Sequence, residues 1–333
     1  NSKMVPCRLR VPSASQLRAR PLLHGVRRFS TAHNICAPGR TKVGWIGTGV
    51  MGKSMVSHIM NAGYETSVYS RTLSKCEPLR DLGAAVRDTP REVAENSDVV
   101  FLIVGYPTDV KSCILGEDGV LEGIKEGGII TDMTTSDPAL AVEMAKICKE
   151  TKNVSLIDAP VSGGDLGAKN AALTIMVGGE DSAVGSVEPL LKTMGKTIEH
   201  MGGPGCGQHT KMANQIMIGT TMIGLMEGML YAKEAGLDVN QVIQAVRGGA
   251  AGSKSLELYA ERILKEDFEP GFFVDHFVKD LGICMSESER MGLDFPGLAL
   301  ANKMYEETQK DGFGLKGTQA LMLTMAKSLK RDA

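Results

Sequence analysis

The chain has 333 residues, 43% of them apolar, with 37 Lys and Arg against 39 Asp and Glu. Residues 1–40 hold eight of the basic residues and none of the acidic ones, so the rest of the chain has 29 basic against 39 acidic residues. Such an acidic body argues against a nucleic-acid or anionic-membrane partner, and its length predicts more than one domain. The seven cysteines form no C-x-x-C pair and have no histidine pairing, so neither a disulfide framework nor a metal site is expected.

Residues 1–40 have the composition of an organelle transit peptide, because they combine arginines, serines and scattered leucines without a single acid. The run RRFST at 27–31 is similar to the cleavage context of mitochondrial presequences. A mitochondrial location is therefore expected, with a plastid as the alternative. A basic arm that binds an anionic partner would be the other explanation of this composition.

Residues 41–203 predict strands and helices in alternation, which is typical of an α/β fold of the Rossmann type with a doubly wound parallel sheet. Three polar residues are predicted to cap helices: Ser74, Thr89 and Asp137. The predicted strands are 42–47, 66–70, 98–104, 128–132, 155–158 and 173–177.

Residues 204–330 predict helices only. The first, from Lys211 to about Gly236, is long enough to join domains or subunits. Its stretch 212–232 is nearly uncharged, yet polar side chains interrupt it and no aromatic belt flanks it, so a buried helix is expected and no membrane span. Apolar residues all round this helix predict burial by a second subunit, in a homodimer or homotetramer.

The run GTGVMG at 47–52 follows the first strand directly and opens the first helix. In G-x-G-x-x-G, the first glycine permits a tight turn, the second lets a pyrophosphate approach the backbone, and the third lets the helix pack on the strand. Free amides at the helix N-terminus attract phosphate. NADP or NAD is therefore expected to contact Gly47, Thr48, Gly49, Val50, Met51 and Gly52.

The second strand ends in Ser70, Arg71 and Thr72, where an NAD site would show an acidic residue. Arg71 can pair with a 2′-phosphate through two hydrogen bonds, and the hydroxyl groups beside it can donate to the same group. These residues favour NADP over NAD, the alternative being that Arg71 stacks on the adenine without discriminating between the two.

Hydride transfer at a carbonyl needs a residue that gives or takes the alcohol proton. Lys211 begins the long predicted helix, and Asn214 lies one turn later on the same face. Apolar neighbours lower the pKa of a lysine, which would suit Lys211 to this proton transfer. His209 faces away from Lys211, so the two are not expected in one site.

A second cluster follows the strand at 155–158, at the carboxyl end of the sheet where open α/β sheets bind ligands. Ser162 and the open amides of Gly163 and Gly164 could hold a carboxylate. Spacing alone leaves a plain loop as an equal alternative.

Four motifs in this order resemble those of the β-hydroxyacid dehydrogenases, which include 3-hydroxyisobutyrate dehydrogenase, its plant mitochondrial relatives and the glyoxylate/succinic semialdehyde reductases. They are the glycine loop, DAPVSGG at 158–164, GCGQHTKMAN at 205–214 and FVKDL at 277–281. The resemblance implies Lys211 as general acid/base, Asn214 as its partner, and Ser162 and Gly163 as carboxylate binders. It also implies further site residues: Lys279 and Asp280 near the nicotinamide and substrate, and Tyr106, Pro107 and Thr135 as cofactor contacts.

Two departures from the family pattern bear on function. Gln215 stands where the family often has a second asparagine, and the second strand lacks the acidic residue of NAD-dependent valine-pathway members. The expected activity is an NAD(P)-dependent 3-hydroxyacid dehydrogenase of the 3-hydroxyisobutyrate type. The alternatives are an NADPH-dependent glyoxylate or succinic semialdehyde reductase and, from another class, a catalytically silent scaffold.

Overall fold

A nine-stranded sheet lies in the N-terminal part of the described chain. The computed structural model describes residues 34–329, so the expected transit peptide falls almost entirely outside the described residues. The strands follow the order β3-β2-β1-β4-β5-β6-β8-β7, and β9 pairs with β8. Their bounds are β1 Lys42–Ile46, β2 Glu65–Tyr69, β3 Ala85–Val86, β4 Val99–Leu102, β5 Ile129–Asp132, β6 Ser155–Asp158, β7 Val161–Ser162, β8 Leu173–Gly178 and β9 Gly195–Gly202.

Helices connect these strands and then make up the rest of the described chain. Short 3-10 segments occupy Leu73–Cys76 and Thr318–Ala320, and a π-helical turn occupies Gln309–Phe313. The α-helices are α1 Val50–Asn61, α2 Glu77–Arg80, α3 Pro90–Glu95, α4 Pro107–Leu115, α5 Val120–Gly123, α6 Pro138–Lys152, α7 Gly164–Lys169, α8 Asp181–Leu191, α9 Cys206–Glu234, α10 Val239–Val246, α11 Lys254–Leu264, α12 Val274–Arg290, α13 Pro296–Thr308 and α14 Leu321–Leu329.

The α/β fold with a doubly wound, mostly parallel sheet and a helical C-terminal domain is confirmed. Successive side chains of a strand point to opposite faces, so a sheet covered on both faces is apolar at every position. Trp45 and Phe101 stack with their ring centroids 5.7 Å apart in one core, whereas Ile46 and Leu102 belong to a second core. Helices therefore cover both faces of the sheet.

The predicted parallel sheet contains antiparallel pairing at one strand, β8. β8 runs antiparallel to β6 and β7, although β9 is parallel to it. Only residues 163–172 connect β7 to β8, which is too short for the crossover that parallel neighbours need. The short strands β3 and β7 and the exposed strand β9 were missed, because two-residue strands and a polar edge strand carry little hydrophobic signal.

Two of the three predicted helix caps are confirmed. Thr89 Oγ1 accepts from the amide of Glu92, and Asp137 Oδ1 accepts from the amides of Ala139 and Leu140. The cap predicted at Ser74 was wrong, because Ser74 lies inside the 3-10 turn that precedes α2.

The 29-residue helix α9 forms the centre of the helical part. It packs on α12 and α13 so closely that a Cβ atom at Gly219 would lie 3.2 Å from the Cβ of Ala301 and 3.3 Å from Leu281 Cδ2. Phe277 and Tyr305 meet edge to face in the same core, with ring centroids 4.7 Å apart. No helix within residues 34–329 is both long and apolar enough to cross a membrane.

Candidate active site

The three glycines of the loop after β1 differ in their surroundings. Gly47 has a φ of +96°, and a Cβ there would lie 2.0 Å from the carbonyl oxygen of Ile103. A Cβ at Gly52 would lie 2.0 Å from the carbonyl oxygen of Gly47, so α1 packs directly on the turn. A Cβ at Gly49 would meet no atom within 4 Å. The first and third glycines therefore serve the turn and the packing, while the second faces open space.

That open space lies at the N-terminus of α1. Gly49 precedes the helix without a side-chain cap, the first turn holds no acid, and Val50 is exposed. Uncapped amides with no negative charge nearby attract phosphate. The Thr48 side chain is buried, with its Oγ1 3.6 Å from Cys76 Sγ. Thr48 would therefore contact a ligand through its backbone. The loop fits the pyrophosphate of a dinucleotide.

Arg71 projects into solvent at the end of β2, with its side chain 87% exposed. Its NH1 lies 3.4 Å from Asp109 Oδ1, and the other oxygen of Asp109 accepts from the amide of Tyr106. Pro107 opens α4 beside them. The structure thus brings Arg71, Tyr106 and Pro107 together through Asp109, which the sequence analysis missed.

The other two residues at the end of β2 differ in exposure. Ser70 is buried and Thr72 is exposed.

Lys211 is buried in the second turn of α9, which begins five residues earlier than predicted. Its Nζ donates to the carbonyl oxygen of Val161 at 2.9 Å. Burial lowers the pKa of Lys211, and the negative charge of Asp280 opposes this only in part. His209 on the same helix is exposed, as expected. The lysine contact with Val161 places the ammonium against the strand that carries Ser162.

Ser162, Gly163 and Gly164 form the turn from β7 into α7. Ser162 is half-buried, and both glycines have positive φ angles, +129° and +63°. A Cβ at Gly164 would lie 3.5 Å from the carbonyl oxygen of Gly271, in the loop before α12. This turn therefore faces the loop before α12. Gly164 opens α7 without a side-chain cap, so its amide has no partner within the helix.

An ion pair on α12 lies close enough to Lys211 for both of its charges to act on the pKa of that lysine. Lys279 Nζ is 3.0 Å from Asp280 Oδ1 and donates to the carbonyl oxygen of Thr135 at 2.7 Å. Asp280 Oδ2 accepts from Gln215 Nε2 at 2.7 Å. The structure thus joins Lys279, Asp280 and Thr135, which come from distant parts of the sequence.

Asn214 follows Lys211 by one turn, as predicted, and is half-buried. Its Nδ2 donates to Gln215 Oε1 at 2.7 Å. Gln215 therefore connects Asn214 to the ion pair of Lys279 and Asp280. The sequence analysis noted Gln215 only as a departure from the family pattern and gave it no role.

Two buried residues fasten α9 to the sheet. Asp158, at the end of β6, accepts from the amide of Gly205 at 2.7 Å and from that of Gln208 at 2.8 Å. The Gln208 side chain donates to the carbonyl oxygen of Thr134 and accepts from the amide of Ser136. A carboxylate at a helix N-terminus satisfies amides that have no partner within the helix. These contacts fix the start of α9, and with it Lys211, against the carboxyl ends of β5 and β6.

Asp132 is a second buried carboxyl group, paired in register with Asp158 on the neighbouring strand. Burial raises the pKa of Asp132 to about 7, with hydrogen bonds from Thr134 opposing that shift. The charges that bear on it are those of Asp158 and Lys279. Asp132 therefore takes up a proton in the folded chain at a pH where an exposed aspartate is ionised.

Two families of known proteins match this chain, each over a different part of it. Residues 42–203 match the family described as the NAD binding domain of 6-phosphogluconate dehydrogenase. Residues 205–325 match the family described as the NAD-binding domain of NADP-dependent 3-hydroxyisobutyrate dehydrogenase. The two matches meet between β9 and α9, where strands give way to helices.

Individual related proteins agree with these two family matches. The chain is 53% identical over 317 residues to an Arabidopsis thaliana protein named probable 3-hydroxyisobutyrate dehydrogenase-like 1, mitochondrial, covering 95% of this chain and 94% of that protein. It is 34% identical to 2-hydroxy-3-oxopropionate reductase of Escherichia coli, covering 81% and 92%. A solved Mycobacterium tuberculosis 3-hydroxyisobutyrate dehydrogenase with L-serine is 26% identical, with a TM-score of 0.79 over 86% of this chain and 99% of that one.

These matches define the class as NAD(P)-dependent oxidoreductases that act on CH–OH groups. The chain belongs to the 3-hydroxyisobutyrate dehydrogenase family of hydroxyacid dehydrogenases. The resemblance carried by the four sequence motifs is confirmed.

The three loop glycines yield a matched pair of variants. Gly49→Ala should weaken NADPH binding about 10-fold or more, because its methyl group occupies the space a pyrophosphate needs, while unfolding changes by less than about 1 kcal/mol. Gly52→Ala should destabilise the fold by about 1–3 kcal/mol, because its methyl group meets a carbonyl oxygen. Urea unfolding and NADPH fluorescence titration measure both effects. Tight NADPH binding by Gly49→Ala would contradict the assignment of the loop.

Asp132 predicts a pH dependence of stability. Burial raises the pKa of Asp132 in the folded chain to about 7, above that of an ordinary aspartate. The contribution of Asp132 to the free energy of unfolding is therefore complete below about pH 4 and is lost as pH rises through 7. The loss is at most about 4 kcal/mol. Asp132→Asn, which keeps the acceptor for Thr134, should remove this decline between about pH 4.5 and pH 7.5 in urea unfolding. The exposed control Asp294→Asn should retain the wild-type slope, and an unchanged slope in Asp132→Asn would refute the assignment.

Proposed function

We propose that the protein interconverts a small 3-hydroxy acid and its semialdehyde, with Lys211 as the general acid/base. The observation that carries this proposal is the buried Lys211 ammonium, held 2.9 Å from the Val161 carbonyl oxygen beside an open-amide turn. Residues 41–203 would form the cofactor domain and residues 204–330 the helical domain. A bound nicotinamide would supply or accept the hydride.

Lys211 and the groups beside it have different roles in the reaction. In the direction of reduction, Lys211 gives a proton to the aldehyde oxygen, and in oxidation it removes the proton of the alcohol. Its lowered pKa makes this exchange easier near neutral pH. Nζ has three protons, so donation to Val161 leaves two for the substrate. Ser162, Gly163 and Gly164 hold the remote carboxylate through a hydroxyl group and open amides.

The ion pair on α12 completes the site. Lys279 contacts the Thr135 carbonyl oxygen and Asp280. In this proposal its positive charge faces the anionic substrate and the cofactor. Asn214 supplies a polar amide one turn from Lys211. Thr135 and the turn at Tyr106 and Pro107 would contact the cofactor.

A second candidate keeps the chemistry and reverses its main direction, as an NADPH-dependent reductase of glyoxylate or succinic semialdehyde. Arg71 at the end of β2 favours it, because a guanidinium pairs with a 2′-phosphate where a carboxylate would repel one. Asp109 Oδ1 lies 3.4 Å from Arg71 NH1. NADP is accordingly the proposed cofactor, with NAD as the alternative.

The proposed assembly is a homodimer or homotetramer. Large apolar side chains lie exposed along α9, among them Met217 at 62% and Tyr231 at 76%. Gly224 and Gly228 lie between them, and a Cβ at either would meet no atom within 4 Å. Such a face is typical of burial against a second copy. A sedimentation mass equal to one chain would contradict this assembly.

The proposed location is the mitochondrion. Its support is the basic, acid-free composition of residues 1–40 and the mitochondrial name of the Arabidopsis relative. Fusion of residues 1–40 to a fluorescent protein should direct it to mitochondria. Delivery to plastids would favour the alternative.

Lys211→Ala should lower kcat by about 10²–10⁴-fold in both directions, because the proton donor is lost. NADPH binding should be unchanged. The assay compares oxidation of 3-hydroxyisobutyrate with reduction of glyoxylate and succinic semialdehyde, each with both cofactors. Lys233→Ala, at the exposed end of the same helix, is the control and should keep wild-type rates. Turnover by Lys211→Ala above a tenth of wild type would refute the role of Lys211.

Arg71→Ala should lower kcat/KM for NADPH by about 10–100-fold and leave that for NADH nearly unchanged, because a hydrogen bond between charged groups is worth about 1.5–3 kcal/mol. Arg91→Ala is the matched control, since Arg91 is an exposed arginine paired with Glu95 on α3. Equal losses with both cofactors would show that Arg71 does not select the 2′-phosphate.

A further inference from the structure

Gln215 lies between two groups of the candidate site and belongs to neither. Its side chain is 2% exposed. Its amide nitrogen donates to Asp280 Oδ2 at 2.7 Å, and its amide oxygen accepts from Asn214 Nδ2, also at 2.7 Å. Each end of the Gln215 amide is therefore bonded to a different residue of the site.

The charge on Asp280 sets the direction of these bonds. An ionised carboxylate only accepts hydrogen bonds, so Gln215 must present its NH₂ group to Asp280 and its carbonyl oxygen to Asn214. Asn214 must then present its own NH₂ group to Gln215. The carbonyl oxygen of Asn214 is thereby the end of that amide left for a further contact, one turn from Lys211.

An ion pair joins the Asp280 carboxylate to Lys279. Lys279 Nζ lies 3.0 Å from Asp280 Oδ1, and Lys279 Nζ also donates to the Thr135 carbonyl oxygen at 2.7 Å. The order of bonds is thus fixed from Thr135 through to Asn214 by alternating donors and acceptors.

We propose that Gln215 is a positioning residue, which holds the Asn214 amide so that its carbonyl oxygen accepts from the substrate hydroxyl beside Lys211. This inference rests on the proposed dehydrogenase function and adds to it the residue that orients Asn214. If the Asn214 side-chain amide were free to rotate by about 180°, part of the population would present its NH₂ group to the substrate hydroxyl. The hydrogen bond from that hydroxyl to the Asn214 carbonyl oxygen would then be lost.

The first test compares Gln215→Leu with Gln215→Glu. Leucine has a similar volume and no hydrogen bonds, so kcat should fall about 10-fold or more while the affinity for NADPH stays within about twofold. A protonated glutamic acid can donate to Asp280 and still accept from Asn214, whereas its carboxylate cannot donate.

The ratio of Gln215→Glu to wild-type kcat should therefore fall about 10-fold or more between about pH 6 and pH 9, and that of Gln215→Leu should stay flat. Asp280 on α12 faces the new carboxyl directly, and Asp280 in turn interacts with Lys279 and Cys284 on α12 and with Lys211 on α9. A flat ratio for Gln215→Glu, or wild-type kcat in Gln215→Leu, would overturn the proposal.

A double-variant cycle tests whether Gln215 acts through Asn214. In the background of Asn214→Leu, adding Gln215→Leu should change kcat by less than about twofold, because the residue it orients is already gone. If the fold-losses in kcat of the two single variants multiply in the double variant, Gln215 acts independently of Asn214, and the assignment is overturned. Gln241→Leu, on the exposed side of α10, is the control for a glutamine replaced without effect on kcat.

A measurement on the wild-type chain separates this inference from the proposed function. The protein is labelled with ¹⁵N at its asparagines, and the Asn214 side-chain signal is identified by its loss in Asn214→Leu. The side-chain amide protons of Asn214 should exchange with solvent at least about 10-fold more slowly than those of exposed Asn240. Equal exchange would overturn the bond to Gln215 whatever the enzyme turns over. Slow exchange without any hydroxy-acid turnover would leave the bond standing and refute the dehydrogenase function and, with it, the catalytic role of Gln215.

Discussion

The site depends on one buried carboxylate at the point where the sheet meets the helical part. Asp158, fully buried at the end of β6, accepts from two amides at the start of α9. A Cβ at Gly207 would lie 2.4 Å from the Met176 carbonyl oxygen and 2.7 Å from that of Asp158, so α9 begins in direct contact with β6 and β8. Loss of such a contact leaves buried polar groups unpaired, which costs more than an average hydrogen bond contributes. These contacts at the start of α9 determine the position of Lys211.

The charged groups near Lys211 are buried or half-buried, and each has a partner. Lys211 donates to a backbone carbonyl, Lys279 donates to a carbonyl and forms an ion pair with Asp280, and Asp280 accepts from the Gln215 amide. Burying an unpaired charge is very costly, so such groups persist only with partners. The same partners fix where each proton and each lone pair points. The same partners therefore both compensate the burial of these charged groups and fix their orientation.

The features that this chain shares with its family and those that set it apart lie in different places. Lys211, the turn at Ser162 to Gly164 and the ion pair at Lys279 correspond to the shared motifs. Arg71 with its partner Asp109 follows β2 and lies outside these motifs.

The sequence alone determined the strand and helix alternation and the glycine loop, and it suggested most residues of the candidate site, because each depends on local periodicity or on a short spacing. Thr89 and Asp137 as helix caps followed from their neighbours in the chain. Ser74 caps no helix, because it lies inside the 3-10 turn that precedes α2. The antiparallel edge at β8 was also beyond reach, because strand direction depends on how a connection folds back in space.

Only the tertiary structure decided which residues share a site. Thr135 meets Lys279 across 144 positions, Gln215 meets Asp280 across 65, and Arg71 meets Asp109 across 38. Periodicity reports which side of an element is buried, but not which partner it is buried against. For that reason Gln215 was visible in the sequence only as an unusual residue, and its place between Asn214 and Asp280 emerged only when α9 and α12 were packed together.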